Sequence, residues 1–382
     1  MRVVLMAPFL LGFRMNSRTF QGTVGERLAD AVAQAVPEFQ PGTGGPDSEM
    51  LFDHHMSTGG SRFGGRRVSG TVEVPGAGRA RVRFDPSGTG FFMQEVDVPD
   101  RDTMHARERA LVVAAAPLVR SWNERITAAM LSGPNSAVGA AGGPVMEIGR
   151  LLWWHRILVD PPEGQEPAAT RCYGVERRIH DTAILRFGDG FTVLKGLPEH
   201  RLGEVLGGLM AAQQEWIAMD EANRLVSERL LNVRESRWEH LSEIDEQFTT
   251  ALALSKDLAL RDLVRLEESR YVVNAAGVVF EAAMERWAMN KEQAALEVQT
   301  QSLRDMLEFH RTMAQSRRDE RRNQMLFVFT VVALLQSVLA WYDFVHEENN
   351  TLAPVLRIVL AAVVASLTLL VAGTSMFRRL RR

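Results

Sequence analysis

The chain has 382 residues, 44 Lys and Arg against 47 Asp and Glu for a formal net charge of −3, one cysteine and 46% hydrophobic residues. That length holds one or two soluble domains besides any membrane segment. The charge balance excludes nucleic acid as a bulk electrostatic partner, and the single Cys172 excludes an internal disulfide and a cysteine-rich zinc site. A reduced cytosolic body fits that count.

An apolar run, Val3 to Phe13, follows Arg2 and has the length of an export-signal core. No small-x-small cleavage site follows it, only Arg14-Met15-Asn16-Ser17-Arg18, and Pro8 sits within it. The run therefore reads as a buried first strand, Val3 to Pro8. Thr23 to Val36 carries Val24, Leu28, Ala31, Val32 and Val36 near helical spacing and stops at Pro37. Residues 40–70 read as loop. Thr71–Val74 and Ala80–Phe84 flank Pro75-Gly76-Ala77-Gly78 as a hairpin, and Phe91–Val98 is a further strand. Asp102 or Thr103 can cap a helix running to about Met130, interrupted or kinked near Pro117. Val145–Val159 is rich in strand formers. Ile179–Phe187 and Phe191–Leu194 pair across the turn Gly188-Asp189-Gly190. Residues 1–197 thus read as a cytosolic α+β domain of five to seven strands, in one piece or in two halves that break near 133–144.

From Pro198 to Arg322 there is no further proline, and apolar residues recur at three and four, as in Leu202, Val205, Leu206, Leu209 and Met210. Residues 198–322 form a long helical region. Its last helix carries Met289, Leu296, Leu303, Met306 and Met313 on a 3-4 seam, with Gln299 and His310 in the remaining seam positions. A period of 3.5 is a coiled-coil face. This stalk helix runs unbroken through Arg322 into the apolar segment that follows, making one rod of about 55 residues, or roughly 80 Å at 1.5 Å per residue.

Residues 323–382 hold two apolar segments, Met325–Trp341 and Ile358–Phe377, each near the roughly 20 residues that a membrane core requires. Within lipid the backbone must satisfy its own hydrogen bonds, so the two read as a C-terminal two-helix transmembrane hairpin. Arg311, Arg317, Arg318, Arg321 and Arg322 precede the first span, and Arg378, Arg379, Arg381 and Arg382 follow the second. The connection carries Asp343, Glu347 and Glu348 against Arg357 alone. Basic flanks stay cytoplasmic. Both termini are therefore expected inside, the acidic loop outside, and the protein in the cell's inner (plasma) membrane. Trp341 and Tyr342 sit where an aromatic belt holds the outer interface.

A cytosolic α+β domain, long helices, a stalk entering the first span, a short acidic loop and a basic tail together resemble the CorA family of magnesium transporters. The resemblance covers residues 200–382 as an architecture. It implies a homo-oligomer whose stalk and first span line a central pore gated by the cytosolic domain. The family's Gly-Met-Asn signature is replaced here by Trp341-Tyr342-Asp343-Phe344. That motif places the outer selectivity site, so the ion is not implied with the architecture. The alternative class is a non-conducting, membrane-anchored recognition or effector module, of the kind expected in bacterial conflict or defence systems.

Asn323, Thr330 and Ser337 are spaced by seven and share a face that drifts about 20° per heptad. Such a line can border a pore, or it can pack membrane helices with its hydroxyls bonded to their own helix. Met306, His310 and Met313 are gate candidates on the stalk: the methionines as hydrophobic constrictions, the histidine as a pH-sensitive position. A plain coiled-coil interface explains all three as well. Asp343, Glu347 and Glu348 would ring an outer mouth and attract cations, or simply keep the turn in water. Asp53-His54-His55 is a weak metal-site candidate, and no metal ligand set is assigned. The loop Gly59–Arg67, with Arg62, Arg66 and Arg67, lacks the Gly-Lys-Ser/Thr ending of a phosphate-binding loop. His180-Asp181 sits on an expected strand, whose neighbouring side chains point to opposite faces. Nucleophile elbows, zinc signatures and dinucleotide fingerprints are absent from the sequence, so the chain is read as no enzyme and without a cofactor. The expected partners are the lipid bilayer, further copies of the chain, a divalent cation, and a cytosolic protein or ligand.

Overall fold

The computed structural model describes residues 1–15, 23–41, 68–132, 138–140, 148–168, 171, 174–180, 183–235, 245–250, 252, 275–346, 358, 359 and 361. The chain divides into two compact units, Met1–Arg237 with Asp245–Glu308, and Trp238–Ile244 with Phe309–Arg382.

The first unit is built on one nine-stranded sheet, flanked by helices on both faces. Its strands are β1 (Arg2–Leu10), β3 (Gln40–Pro41), β4 (Val68–Val74), β5 (Gly78–Phe84), β6 (Thr89–Asp97), β8 (His155–Val159), β9 (Val175–His180), β10 (Ala183–Gly188) and β11 (Phe191–Lys195). They lie in the order β3-β4-β5-β6-β1-β8-β11-β10-β9. All pairs are antiparallel except β11 with β8. A short separate ladder joins β2 (Phe13–Met15) to β7 (Val138–Ala140). One sheet thus carries strands from both sides of the glycine-rich stretch Gly133–Pro144.

β1 is the central strand, and its alternation explains the two layers. Val3, Leu5, Phe9 and Leu11 face one core, while Val4 and Met6 face the other. A strand buried on both faces reads as a continuous apolar run, which is why it mimics an export signal. Pro8 is tolerated there because β8 pairs with β1 only from Arg2 to Met6. The Pro8 carbonyl then accepts from the Leu152 amide at 2.9 Å, so the missing N–H falls beyond the ladder.

On the first face lie α1 (Thr23–Ala35) and α2 (Arg101–Leu131). Met104, Leu111, Ala115, Val119, Trp122, Ile126 and Met130 recur at three, four and seven along α2 and are buried. Trp122 packs against Phe9 and Phe84, and its indole N–H donates to Glu38 at 3.0 Å. Helix ends leave carbonyls without intrahelical partners. Here they are met in exchange: Arg27 of α1 donates to the Met130 carbonyl at 2.7 Å, and Arg125 of α2 to the Ala35 carbonyl at 3.2 Å. The cap of α2 is Asp100, whose carboxylate accepts from the Thr103 amide at 2.7 Å, two or three residues before the expected cap. No break occurs at Pro117. That residue is exposed, as is Val113 one turn earlier, so the carbonyl that loses its donor faces water.

The second face is covered by α3 (Leu202–Glu235) and α4 (Ala275–Arg286). Leu202, Val205, Leu206 and Leu209 of α3 and Ala275, Val279, Ala282 and Ala283 of α4 share a core with Leu185, Phe187 and Leu194 of the sheet. The helices cross closely at Gly208, where any Cβ would overlap the Ala276 carbonyl oxygen. The stretch expected as one strand, Ile179–Phe187, is two. β9 ends at His180, β10 begins at Ala183, and they pair antiparallel with a register shift at Ala183/Ile184.

After α4, Ala288 adopts a left-handed backbone, φ 53°, and α5 runs from Met289 to His346 as one helix of 58 residues. Among the described residues, the region beyond residue 198 is therefore long-helical. One apolar C-terminal helix is present; the second apolar segment, Ile358–Phe377, lies outside the described residues apart from Ile358, Val359 and Ala361.

Candidate functional site

α5 changes character along its length. Within the first unit, Met289, Leu296, Thr300, Leu303 and Leu307 are buried. Met289 and Leu296 cluster with Met219, Ala222 and Val226 of α3 and Met284 of α4. The early rungs of the 3-4 seam are thus occupied by the chain's own helices. Met306 and Met313 stay 36% and 44% exposed. His310 is half-buried, with its ring 5.9 Å from that of Phe309.

Within the second unit, the segment from Met325 onwards is apolar and exposed. Phe327, Phe329, Leu335 and Leu339 are among the large side chains left without cover. This is the one helix among the described residues long and apolar enough to cross a membrane. A surface of this size and kind is rare on a protein bathed in water. Asn323, Thr330 and Ser337 are all exposed. The Thr330 hydroxyl donates to the Leu326 carbonyl at 2.7 Å, and the Ser337 hydroxyl to the Ala333 carbonyl at 2.9 Å. Asp343 lies in α5, Glu347 and Glu348 fall outside the described residues, and so do Asp53-His54-His55, Gly59–Arg67, Asp181 and Cys172. Among the described residues no group of three or more His, Cys, Asp or Glu comes together to hold a metal ion.

The first unit contains a polar arrangement that the sequence reading did not single out. His155 of β8 is 1% exposed, its Nε2 lies 2.8 Å from the Thr192 hydroxyl, and its ring stacks on Phe187 at 5.3 Å. Burial, with a smaller contribution from the neighbouring Arg156 charge, pushes its pKa down to about 3. The ring is neutral. Phe187 in turn meets Trp287 edge-on at 5.5 Å, immediately before the α4–α5 joint. Arg286 grips Asp189 of the β10–β11 turn through two hydrogen bonds, 3.1 and 2.5 Å, and Glu285 pairs with Arg177 of β9. The C-terminal end of α4 is thereby fixed to β9 and the β10–β11 turn, and α5 starts three residues later.

Three further ion pairs brace the same sheet. Arg156 makes a fork to Glu108 of α2, 2.7 and 2.6 Å, and lies 4.7 Å from the Phe191 ring centre. Glu166, only 3% exposed, accepts from Arg186 at 2.8 Å and pairs with Lys195 at 2.5 Å. Burial alone would raise the Glu166 pKa, but the bonds and charges of Lys195 and Arg186 outweigh it and hold the carboxyl below its usual range. These groups are satisfied by one another. The one available signal for them was polar residues inside strand patterns, such as His155-Arg156 before Ile157-Leu158-Val159. Their partners are 20 to 108 residues away in sequence.

No protein-family model, curated protein sequence or solved structure matches the chain. The functional reading rests on these residues.

Proposed function

We propose that the chain is a homo-oligomeric, CorA-like membrane protein, a gated ion channel or transporter controlled by its cytosolic α+β region. The observation that supports this reading is α5, a single helix whose early residues are packed in the first unit and whose later residues are apolar and bare. In this reading Met325–Trp341 and Ile358–Phe377 form a transmembrane hairpin in the inner membrane. Both termini are cytoplasmic by the arginine asymmetry, with Asp343, Glu347 and Glu348 at the outer mouth. Copies of α5 stand side by side around an axis lined by Asn323, Thr330 and Ser337. Met306, His310 and Met313 are the gate candidates of the stalk, on a face about 130° round α5 from that line at 100° per residue, and the cytosolic unit acts on them through α4 and the joint at Ala288. Wetting and dewetting of the methionine ring is the gating step.

A second reading is favoured by the hydroxyl geometry. Thr330 and Ser337 already bond to their own helix, as they would in helix packing without conduction. The protein is then a membrane-anchored recognition or effector module. The double substitution Thr330→Leu/Ser337→Leu separates the two. With normal membrane insertion, a pore loses ion flux in reconstituted vesicles, whereas a tether keeps its activity. Unchanged flux in the double variant refutes the pore-lining assignment.

A further inference from the structure

Arg317, Arg318, Arg321 and Arg322 occupy positions i, i+1, i+4 and i+5 of α5, in the turns before Met325. At about 100° per residue they fall within an arc of about 140°. All four are exposed, and none makes an ion pair among the described residues. Ser316, Asp319, Glu320 and Asn323 fill the opposite arc. Thr330 and Ser337 continue that opposite arc, so the basic face is turned about 150° away from the polar line. The helix is thus divided lengthwise, basic on one side and acidic or neutral on the other, at the level where its surface becomes apolar.

We propose that this arginine face binds anionic phospholipid headgroups at the cytoplasmic surface of the membrane. The inference rests on the reading of α5 as a membrane span and adds the lipid partner. Guanidinium groups held one to about two turns from an apolar span reach headgroup depth. A phosphodiester offers them the bidentate acceptor that their planar donors fit. A basic cluster next to a span is attracted to anionic lipid, and the attraction falls with salt. The lengthwise division gives this site a direction. When the polar line faces an oligomer axis, the arginines face outwards into the lipid, and Asp319 and Glu320 stay away from the headgroups.

The test uses the full-length protein in phosphatidylcholine nanodiscs with and without phosphatidylglycerol, reading by mass spectrometry which lipid stays with the released protein. Wild type is expected to retain phosphatidylglycerol selectively. Each Arg→Gln change should lower that selectivity roughly fivefold, the ratio that about 1 kcal/mol per basic residue represents. The quadruple variant should have none beyond the contribution of the tail arginines, which are kept throughout. Arg→Lys at the same four positions should retain most of it, and Asp319→Asn/Glu320→Gln should not reduce it. Equal retention by wild type and the quadruple Gln variant overturns the proposal. So does displacement of the lipid by soluble glycerol phosphate, which would make the site one for free phosphate. A chain that does not enter nanodiscs at all sinks instead the membrane reading beneath it.

Discussion

His155 supplies the sharpest test of the fold. Its ring is buried and neutral, with a pKa pushed down to about 3, whereas in an unfolded chain a histidine titrates near 6.5. Between those values the unfolded state binds the extra proton, so stability rises with pH across the window. It is fully present above about 6.5 and is lost as pH falls. From pH 7.5 to pH 5 the loss from this one group is about 2 kcal/mol, since each pH unit below the unfolded value costs about 1.4 kcal/mol. At pH 5 the buried ring stays neutral, so the figure is set by the unfolded side. The assay is denaturant unfolding of the detergent-solubilised chain, followed by tryptophan fluorescence at both pH values. The same measurement on His155→Gln, which keeps a polar group near Thr192, provides the comparison. The variant is expected to be less stable at pH 7.5 but to lose about 2 kcal/mol less on acidification. Parallel pH dependences in the two proteins would refute the burial of a neutral His155 against Phe187.

Gly208→Ala pushes a methyl group into the Ala276 carbonyl and should cost roughly 1–3 kcal/mol by overpacking the α3–α4 crossing, read in the same denaturation assay. Ala288→Gly acts in the other direction. A left-handed alanine costs roughly 1–2 kcal/mol, and glycine's added freedom returns about 0.5–1 of that. A stability gain of up to about 1 kcal/mol is expected; a loss would mean that the joint is not left-handed. Glu166→Gln leaves Arg186 and Lys195 without their shared carboxylate and should cost roughly 1–3 kcal/mol at neutral pH. Because the folded carboxyl titrates below its ordinary value, that cost should shrink as pH falls through the ordinary carboxylate range. A cost independent of pH would show that the carboxylate's charge is not what the site uses.

Local chemistry was legible in the sequence wherever one residue type decides it. The hairpin across Pro75-Gly76-Ala77-Gly78 and the turn at Asp189-Gly190 carry their glycines at positive φ, as those turns require. The apolar spacing of α1 and α3 defines their buried faces. Where the signal lay in tertiary context it was missed. Ile179 to Phe187 has neither glycine nor proline to mark a strand end, and only the pairing of β9 with β10 shows that it holds parts of two strands. Pro117 does not interrupt its helix, because an exposed carbonyl can be satisfied by water. The grip of Arg286 on Asp189 joins residues 97 apart; such pairs are products of the fold, with no periodicity to announce them. The polar stripe Asn323, Thr330 and Ser337 was visible as a spacing of seven, yet spacing carries no information on what the stripe faces.

The stalk seam shows the same limit in a form that bears on function. A 3.5-residue period says that a helix has one apolar line, but not whether the line meets its own chain or another copy. In α5 the early part of the line, Met289 and Leu296, is taken by α3 and α4, and Leu303 and Leu307 are buried with the first unit. An oligomer built on that line would have to displace an intramolecular core. The large apolar residues of α5 left bare in the first unit are Val298 and Met306, and in the second unit Phe309, Met313 and the segment from Met325 onwards. On the oligomeric reading proposed above, self-association through α5 draws on these side chains. Replacing Phe309 and Met313 with serine should lower the native mass of the solubilised protein without disturbing the first unit. Serine at Leu296 and Leu303 should instead unfold that unit, so the two pairs separate an oligomer contact from a core contact.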